Sequence, residues 1–158
     1  MKFLAASLIV LTTMITSALA QSPESNISFG VNLGLARFAD TSALEITLGL
    51  WYGSHRTGPL FEGAFGADWA IGHGTPYDMG DADLGYAIGL DASEQTHVLI
   101  RAGASLWGKN DRTGGIGENG AIELNHFANL HRGWSLTVTW RRFSGFTAPS
   151  VTAGLVFR

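Results

Sequence analysis

A strict alternation of apolar and polar side chains near the end of the chain constrains its fold more than any other feature. The large apolar side chains of the first run are Trp134, Leu136, Val138 and Trp140. The residues between them are small or polar, and a second run of the same kind covers 151–157. Because successive side chains of a β-strand point to opposite faces, each run predicts a strand with one apolar face. A helix does not fit, since its apolar residues would recur at every third or fourth position.

Six further runs of the same kind precede these two, so the chain is predicted to form eight strands. The predicted strands cover residues 27–38, 44–53, 60–72, 83–91, 97–107, 121–130, 134–141 and 151–157. Most of them have roughly the 9–11 residues that a tilted strand needs to cross a lipid bilayer. An even number of such strands predicts an all-β fold, an eight-stranded antiparallel up-and-down transmembrane β-barrel.

The charges of the predicted strands fall on the face opposite the bulky apolar one. A soluble barrel would have an apolar lumen and a polar exterior, so here the charged face is predicted to line the lumen. The predicted lumen charge cluster consists of Glu45, Glu62, Asp68, Asp83, Arg101, Glu123 and Arg141. Because eight strands leave just enough room for side chains to fill the interior, we expect ion pairs that plug the lumen. The alternative interpretation is a narrow pore that prefers cations.

Residues 1–20 have the features of a secretory signal peptide, which leaves residues 21–158 as the barrel domain. Lys2 is followed by a mostly apolar run that ends in the small-residue pattern of a cleavage site at residues 18–20. The charged fraction of 15% is below the roughly 25% that is usual for soluble domains, as expected for a surface in contact with lipid. A net charge of −3 without a basic patch argues against nucleic acid as a partner. The absence of cysteine excludes zinc–thiolate sites, and no cofactor is expected.

The connections between the predicted strands differ in length at the two ends of the barrel. With both termini in the periplasm, the outer loops are predicted at 39–43, 73–82, 108–120 and 144–149, and the periplasmic turns at 54–59, 92–96 and 131–133. The two longest connections then lie on the outer side, as expected for a barrel of this class. Residues 115–120 match the pattern G-x-G-x-x-G but precede a strand, so we interpret them as a loop tip and reject a dinucleotide site. Asp78, Asp81 and Asp83 are weak calcium candidates in an acidic loop.

These features together resemble the small eight-stranded outer-membrane barrels of Gram-negative bacteria, the family of the OmpA transmembrane domain and OmpX. The resemblance covers residues 27–157 and rests on the signal peptide, the strand alternation, the loop asymmetry and the terminal aromatic Phe157. It implies a location in the bacterial outer membrane and insertion by the barrel assembly machinery. It also implies contact with outer-membrane lipid and lipopolysaccharide, with a loop partner that the sequence does not identify.

Residues 140–144 also resemble the closing segment of the outer-membrane lipid A deacylases. That family has a His-x-Ser pair here and a glutamate on the last strand, because a hydroxyl nucleophile needs a base and an orienting acid. Ser144 occupies the serine position, but Arg142 occupies that of the histidine, and no acidic residue follows Glu123. An arginine is not a general base near neutral pH, and we expect Arg142 to meet lipopolysaccharide phosphates instead.

The leading prediction from the sequence is therefore a non-enzymatic outer-membrane barrel with a structural or surface-interaction role. The alternative is a lipid A-modifying hydrolase that uses Ser144. His126 is a second weak catalytic candidate, although no serine is well spaced to be its partner. Its position on the apolar face of the sixth strand predicts either a local β-bulge or a place under the lipid headgroups.

Overall fold

The chain forms a closed barrel of eight antiparallel strands, which confirms the predicted fold class. The computed structural model describes residues 27–38, 41–53, 57–70, 76–93, 95–109, 112–129 and 131–158. The strands are β1 Ile27–Phe38, β2 Thr41–Gly53, β3 Gly58–Ala70, β4 Pro76–Gly89, β5 Thr96–Lys109, β6 Arg112–Phe127, β7 Arg132–Phe143 and β8 Phe146–Phe157. Within these residues no helix is long and apolar enough to cross a membrane. The predicted signal peptide lies outside the described residues.

Each strand pairs with the next along the chain, and β8 returns to pair with β1. This closure is tight around Gly34 of β1, where a Cβ atom would overlap the backbone of Val151. Gly103 of β5 is equally close to the carbonyl of Ala82 on β4. Inward glycines therefore let neighbouring strands approach in a narrow barrel, which accounts for their frequency inside the strands.

The two faces of the sheet differ in polarity in the direction that the sequence predicts. Large apolar side chains are exposed on the outer face, among them Leu35, Leu84, Ile122, Trp140 and Leu155. The side chains between them point into the lumen, where most are buried and many are polar or charged. Such an apolar belt around a polar interior is the arrangement of barrels that cross membranes.

Apolar side chains cluster at both ends of the lumen, and a cavity of about 40 Å³ remains within the cluster at the terminal end. At the terminal end, where Ile27 and Phe157 lie, the terminal plug consists of Trp51, Leu60, Ala87, Leu99, Phe127 and Val156. At the opposite, distal end, the distal plug consists of Phe38, Met79, Phe143 and Ala148, with Tyr77, Trp107 and Phe146 packed against them. The polar residues lie between these two plugs. The sequence pattern alone does not predict the plugs.

Three strands begin five or more residues earlier than their hydrophobic pattern predicts. β4 begins at Pro76, β6 at Arg112 and β8 at Phe146, so the outer loops predicted at 73–82, 108–120 and 144–149 are wrong, and with them the prediction that the two longest connections lie on the outer side. The distal connections are residues 39–40, 71–75, 110–111 and 144–145, and the longest connection, 90–95, lies at the terminal end. The outward side of these distal parts has few large apolar residues, and the distal part of β6 is also rich in glycine. Backbone pairing with a neighbour, and not an apolar face, holds them in the sheet.

On β6 the predicted loop tip and the β-bulge at His126 are also wrong, whereas the alternative place of His126 under the lipid headgroups stays a prediction. The G-x-G-x-x-G match at 115–120 lies within the strand and not at a loop tip. The register of β6 is regular on both sides of His126, which faces Thr96 on β5 and Trp134 on β7. The irregularity in this part of the sheet lies instead between Trp107 and Gly108, where β6 carries one extra residue, Gly114. His126 thus stays on the outer face without a bulge, at the terminal end.

Candidate functional site

The seven residues of the predicted charge cluster all point into the lumen between the two plugs, and all are buried. Asp81 joins them, because it lies on β4 and not in the predicted loop, and its side chain reaches Arg141. The lumen residues that the structure describes in this region therefore include six carboxyl groups and two guanidinium groups. The alternation of side chains along each strand, which we call strand parity, predicts which charges face inward. It does not predict which of these charges form ion pairs with each other.

The first group of charges, the distal tier, surrounds Arg141 on β7. Its Nη2 atom lies 3.0 Å from Glu45 Oε1 on β2 and 2.7 Å from Asp81 Oδ2 on β4. Its Nε atom also donates to both oxygens of Asp81, and its Nη1 atom donates to Ser150 Oγ at 3.2 Å. Asp68 lies directly opposite Glu45 on β3 and is 0% exposed, yet neither of its carboxylate oxygens has a hydrogen-bond partner.

The second group, the terminal tier, surrounds Arg101 on β5. Arg101 forms ion pairs with Glu62 on β3 and with Glu123 on β6, the latter at 2.8 Å between Nη2 and Oε2. The same Glu123 oxygen accepts a hydrogen bond from Thr137 Oγ1 at 3.2 Å. Asp83 on β4 is 4.0 Å from Arg101 Nη1 and lies directly opposite Glu62. Each tier therefore has three carboxyl groups around one arginine.

The space between the two tiers is small. A cavity of about 20 Å³ lies there, lined by residues of both tiers together with threonines of β2, β7 and β8. A volume of this size holds about one water molecule and not a continuous file of water. At the terminal mouth, the Arg158 guanidinium lies 3.8 Å from the centre of the Phe127 ring and adds to the closure.

The distal rim of β6, β7 and β8 carries the residues of the deacylase-like segment. An open cavity of about 650 Å³ is lined there by Gly117, Glu118, Arg142, Phe143, Ser144, Gly145, Phe146 and Thr147. Arg142 Nη1 lies 3.5 Å from Glu118 Oε1, and both side chains are more than 70% exposed. Glu118 is an acid that sequence reasoning missed, because it comes from a neighbouring strand and not from the last one. It is paired with Arg142, and the described residues that line this cavity include no histidine to serve as a base for Ser144.

His126 lies far from this rim, at the terminal end. Its Nδ1 atom is 3.0 Å from Thr96 Oγ1, and its ring is 5.7 Å from that of Trp134. The nearby hydroxyl is therefore a threonine on the adjacent strand, which spacing along the chain does not reveal. The polar edge of the ring meets a hydroxyl and its face meets an aromatic ring, as suits a side chain near a membrane interface.

The aspartates considered for calcium do not converge. Asp81 and Asp83 point into the lumen, where each belongs to a different tier, whereas Asp78 lies on the outward side of the same strand. Among the residues that the structure describes, no three acidic or histidine side chains are grouped to hold a metal ion.

Several solved structures share this barrel. No protein-family model matches the sequence, and no curated protein matches it. A designed transmembrane β-barrel aligns with a TM-score of 0.60 at 12% identity, over 87% of this chain and 97% of its own. Neisserial surface protein A aligns with a TM-score of 0.61 at 9% identity, over 83% and 94%. Ail, the attachment invasion locus protein of Yersinia pestis, gives 0.57 at 10% identity, over 84% and 96%. The shared property is the eight-stranded transmembrane barrel fold.

Proposed function

We propose that this chain is an integral protein of the bacterial outer membrane, with its terminal end in the periplasm and its distal end at the cell surface. The exposed apolar belt supports insertion in lipid, since exposed leucine, isoleucine and tryptophan side chains on every side of a barrel suit hydrocarbon and not water. The fold shared with Neisserial surface protein A and Ail supports the outer membrane as its location. The signal peptide predicted at residues 1–20 supports export.

Within the membrane, we propose a structural role for a sealed barrel that neither conducts ions nor catalyses a reaction. The filling of the lumen carries this proposal. Apolar plugs lie at both ends, two tiers of charged side chains lie between them, and the cavities left among these residues are about 20 and 40 Å³. A narrow cation pore would need a continuous water-lined path, and the cavity between the tiers holds about one water molecule.

Conductance in planar lipid bilayers tests the sealed lumen. The refolded barrel is expected to leave the bilayer silent at moderate voltages. Steady, cation-selective current that changes in Arg101→Gln or Glu62→Gln would contradict the proposal and favour the pore. The Leu106→Ala variant is a matched control, because Leu106 lies on the outer face of β5 beside Trp107 of the distal plug, and its replacement should have no effect on conductance.

We further propose that the distal rim contacts lipopolysaccharide through Arg142. Its exposed guanidinium lies at the edge of an open polar cavity, where a phosphate can replace or join the weak surface pair with Glu118. The names of two structural neighbours refer to the cell surface and to attachment. The distal connections of this chain are short, however, so we propose contact with membrane lipid and not adhesion through long loops.

Binding of the barrel to lipopolysaccharide and to phospholipid vesicles tests this contact. Arg142→Gln should weaken lipopolysaccharide binding several-fold and leave phospholipid binding unchanged. Arg132→Gln is the matched control, because Arg132 is an exposed arginine of the same strand at the terminal end. Equal loss in both variants would contradict a site at the distal rim.

Mass spectrometry of lipid A from expressing cells tests the alternative function as a hydrolase, which requires loss of an acyl chain that Ser144→Ala abolishes.

A further inference from the structure

The two tiers of the lumen repeat one unusual arrangement, a pair of carboxyl groups placed directly opposite each other on adjacent strands. Glu45 on β2 faces Asp68 on β3, and Glu62 on β3 faces Asp83 on β4. In each pair the glutamate forms an ion pair with the arginine of its tier. The aspartates are held less well: Asp68 has no hydrogen-bond partner at all, and Asp83 forms a long ion pair of 4.0 Å with Arg101 and has one oxygen without a partner.

Two ionised carboxylates directly opposite each other in the buried lumen would raise the free energy of the folded barrel. Directly opposed residues of an antiparallel sheet have Cβ atoms about 4.5–5.5 Å apart, and like charges at that separation repel each other. Both aspartates are buried, with exposures of 0% for Asp68 and 3% for Asp83. A buried charge without a partner is strongly disfavoured, and a carboxylate in such a place becomes neutral by binding a proton.

The charged groups of the other strands do not remove the excess of carboxyl groups over arginines around these pairs. Around the lumen, β1 contributes Asn32, β8 contributes Ser150 and Thr152, and the charged groups of β2 to β7 are Glu45, Glu62, Asp68, Asp81, Asp83, Arg101, Glu123 and Arg141. Each arginine also forms a second ion pair, Arg141 with Asp81 and Arg101 with Glu123. Each arginine thus neutralises one carboxylate and leaves two of its tier without a counter-charge.

We propose that the lumen is a proton-binding site, with one proton held in each opposed carboxyl pair. The proton resides on the aspartate, and its O–H group donates to an oxygen of the glutamate across the strand. The glutamate stays ionised and keeps its ion pair with the arginine. Folding then takes up two protons from water, one by Asp68 and one by Asp83, and unfolding releases them wherever free aspartates are ionised.

The sign of the pH dependence follows from this uptake. Because the folded barrel binds more protons than the unfolded chain, its free energy of unfolding falls with rising pH from the ordinary aspartate pKa of about 3.9 until the lumen protons have left, and is level above that. The variant Asp68→Asn with Asp83→Asn imitates the protonated pairs, since an amide also donates a hydrogen bond to the glutamate. It should therefore remove this loss of stability with rising pH.

Infrared spectroscopy and unfolding at several pH values test the proposal in the refolded full-length barrel. We expect a protonated-carboxyl band in the wild type at neutral pH, and its loss in the double asparagine variant. Unfolding by denaturant should become easier with rising pH in the wild type and in the control Glu118→Gln, which changes an exposed carboxylate, but not in the double variant.

Three results would overturn the proposal: no carboxyl band in the wild type, the same pH profile in the double variant, or stability that depends on added sodium or calcium ions and not on pH. The last result would mean that a metal cation, and not a proton, neutralises the pairs. If the double variant does not fold, the carboxyl band of the wild type still decides, because ionised pairs give none.

Discussion

At the scale of single residues, two adjacent arginines of β7 illustrate how strand parity determines a side chain's role. Arg141 points into the lumen and binds Glu45 and Asp81 with 2% of its side chain exposed. Arg142 points outward, 71% exposed, and meets only Glu118 among the contacts described. The first guanidinium is part of a buried network, and the second belongs to a surface pair of small energetic consequence.

Replacement of each arginine by glutamine should therefore have very different effects. Arg141→Gln leaves buried carboxylates without their cation and should lower the free energy of unfolding by about 3–5 kcal/mol. Arg142→Gln should change it by about 0.5 kcal/mol or less. Denaturant unfolding of the refolded barrel in lipid vesicles measures both. Equal effects of the two substitutions would mean that the Arg141 network does not stabilise the barrel.

Asp91, in the turn between β4 and β5, gives a pH-dependent prediction outside the lumen. Hydrogen bonds from the Thr96 side chain, the Gln95 backbone N–H and Ser93 lower the pKa of this carboxyl from 3.8 to about 2. A lowered pKa in the folded state means that the ionised carboxylate stabilises the turn above the unfolded pKa, and that this stabilisation is lost as the pH falls towards about 2.

The amide resonance of Gln95 in an NMR titration should report this transition, with a midpoint near 2 and not near 3.8. The variant Asp91→Asn serves as the control, because it has no carboxyl group to titrate, so its Gln95 resonance should not move over this range. A midpoint at the ordinary aspartate value would show that the turn does not hold the carboxylate as described.

At the scale of elements, the sequence predicts strands well where one face must be apolar and poorly where it need not be. β1 was predicted with its observed bounds, Ile27–Phe38, because its outer face is apolar over most of its length. The distal half of β6 is polar and rich in glycine, so its pattern resembles a loop although its backbone pairs with β5. Hydrogen bonding between strands, which hydropathy does not encode, extends the sheet there.

The same distinction holds for the candidate site. Parity within a strand predicted which charges face the lumen, whereas their partners depend on the closure of the whole barrel. Glu45 and Arg141 are 96 positions apart in the chain and meet because β8 pairs with β1. Asp81 was missed because its strand begins earlier than the pattern suggests, and the end plugs were missed because Trp51 and Trp107 interrupt an otherwise small or polar face.

The short hairpin between β7 and β8 gives a prediction for an element. Gly145 in its turn has a φ angle of 94°, which disfavours residues with a Cβ atom. Gly145→Ala should destabilise the barrel by about 1–2 kcal/mol. Gly120→Ala is the control, because Gly120 lies in regular strand β6, where an added Cβ would be 3.7 Å from the nearest heavy atom. Denaturant unfolding should show little change for Gly120→Ala, and a similar loss in both variants would argue against strain at the turn.

At the scale of the whole molecule, the proposed membrane position places different parts of one strand at different depths. Ile122 and Ile116 both lie on the outer face of β6, 59% and 71% exposed. Ile122 lies at the same height along the barrel axis as the charged tiers in the middle of the lumen, since Glu123 follows it. Ile116 lies in the distal part of β6, which does not pair with β7. The barrel as placed here should therefore bury Ile122 near the centre of the bilayer and leave Ile116 at or above its surface.

An isoleucine-to-arginine substitution at each position tests that placement. A lipid-facing arginine costs about 2–4 kcal/mol at the midplane of the membrane and about 0–1 kcal/mol near its surface. Ile122→Arg should therefore lower the free energy of unfolding from phospholipid vesicles by several times more than Ile116→Arg does. Because the two substitutions introduce the same side chain on the same face of the same strand, the difference between them reports depth alone. Equal losses, or none at Ile122, would mean that this face of the barrel does not lie in hydrocarbon, and the proposed membrane location would fail with it.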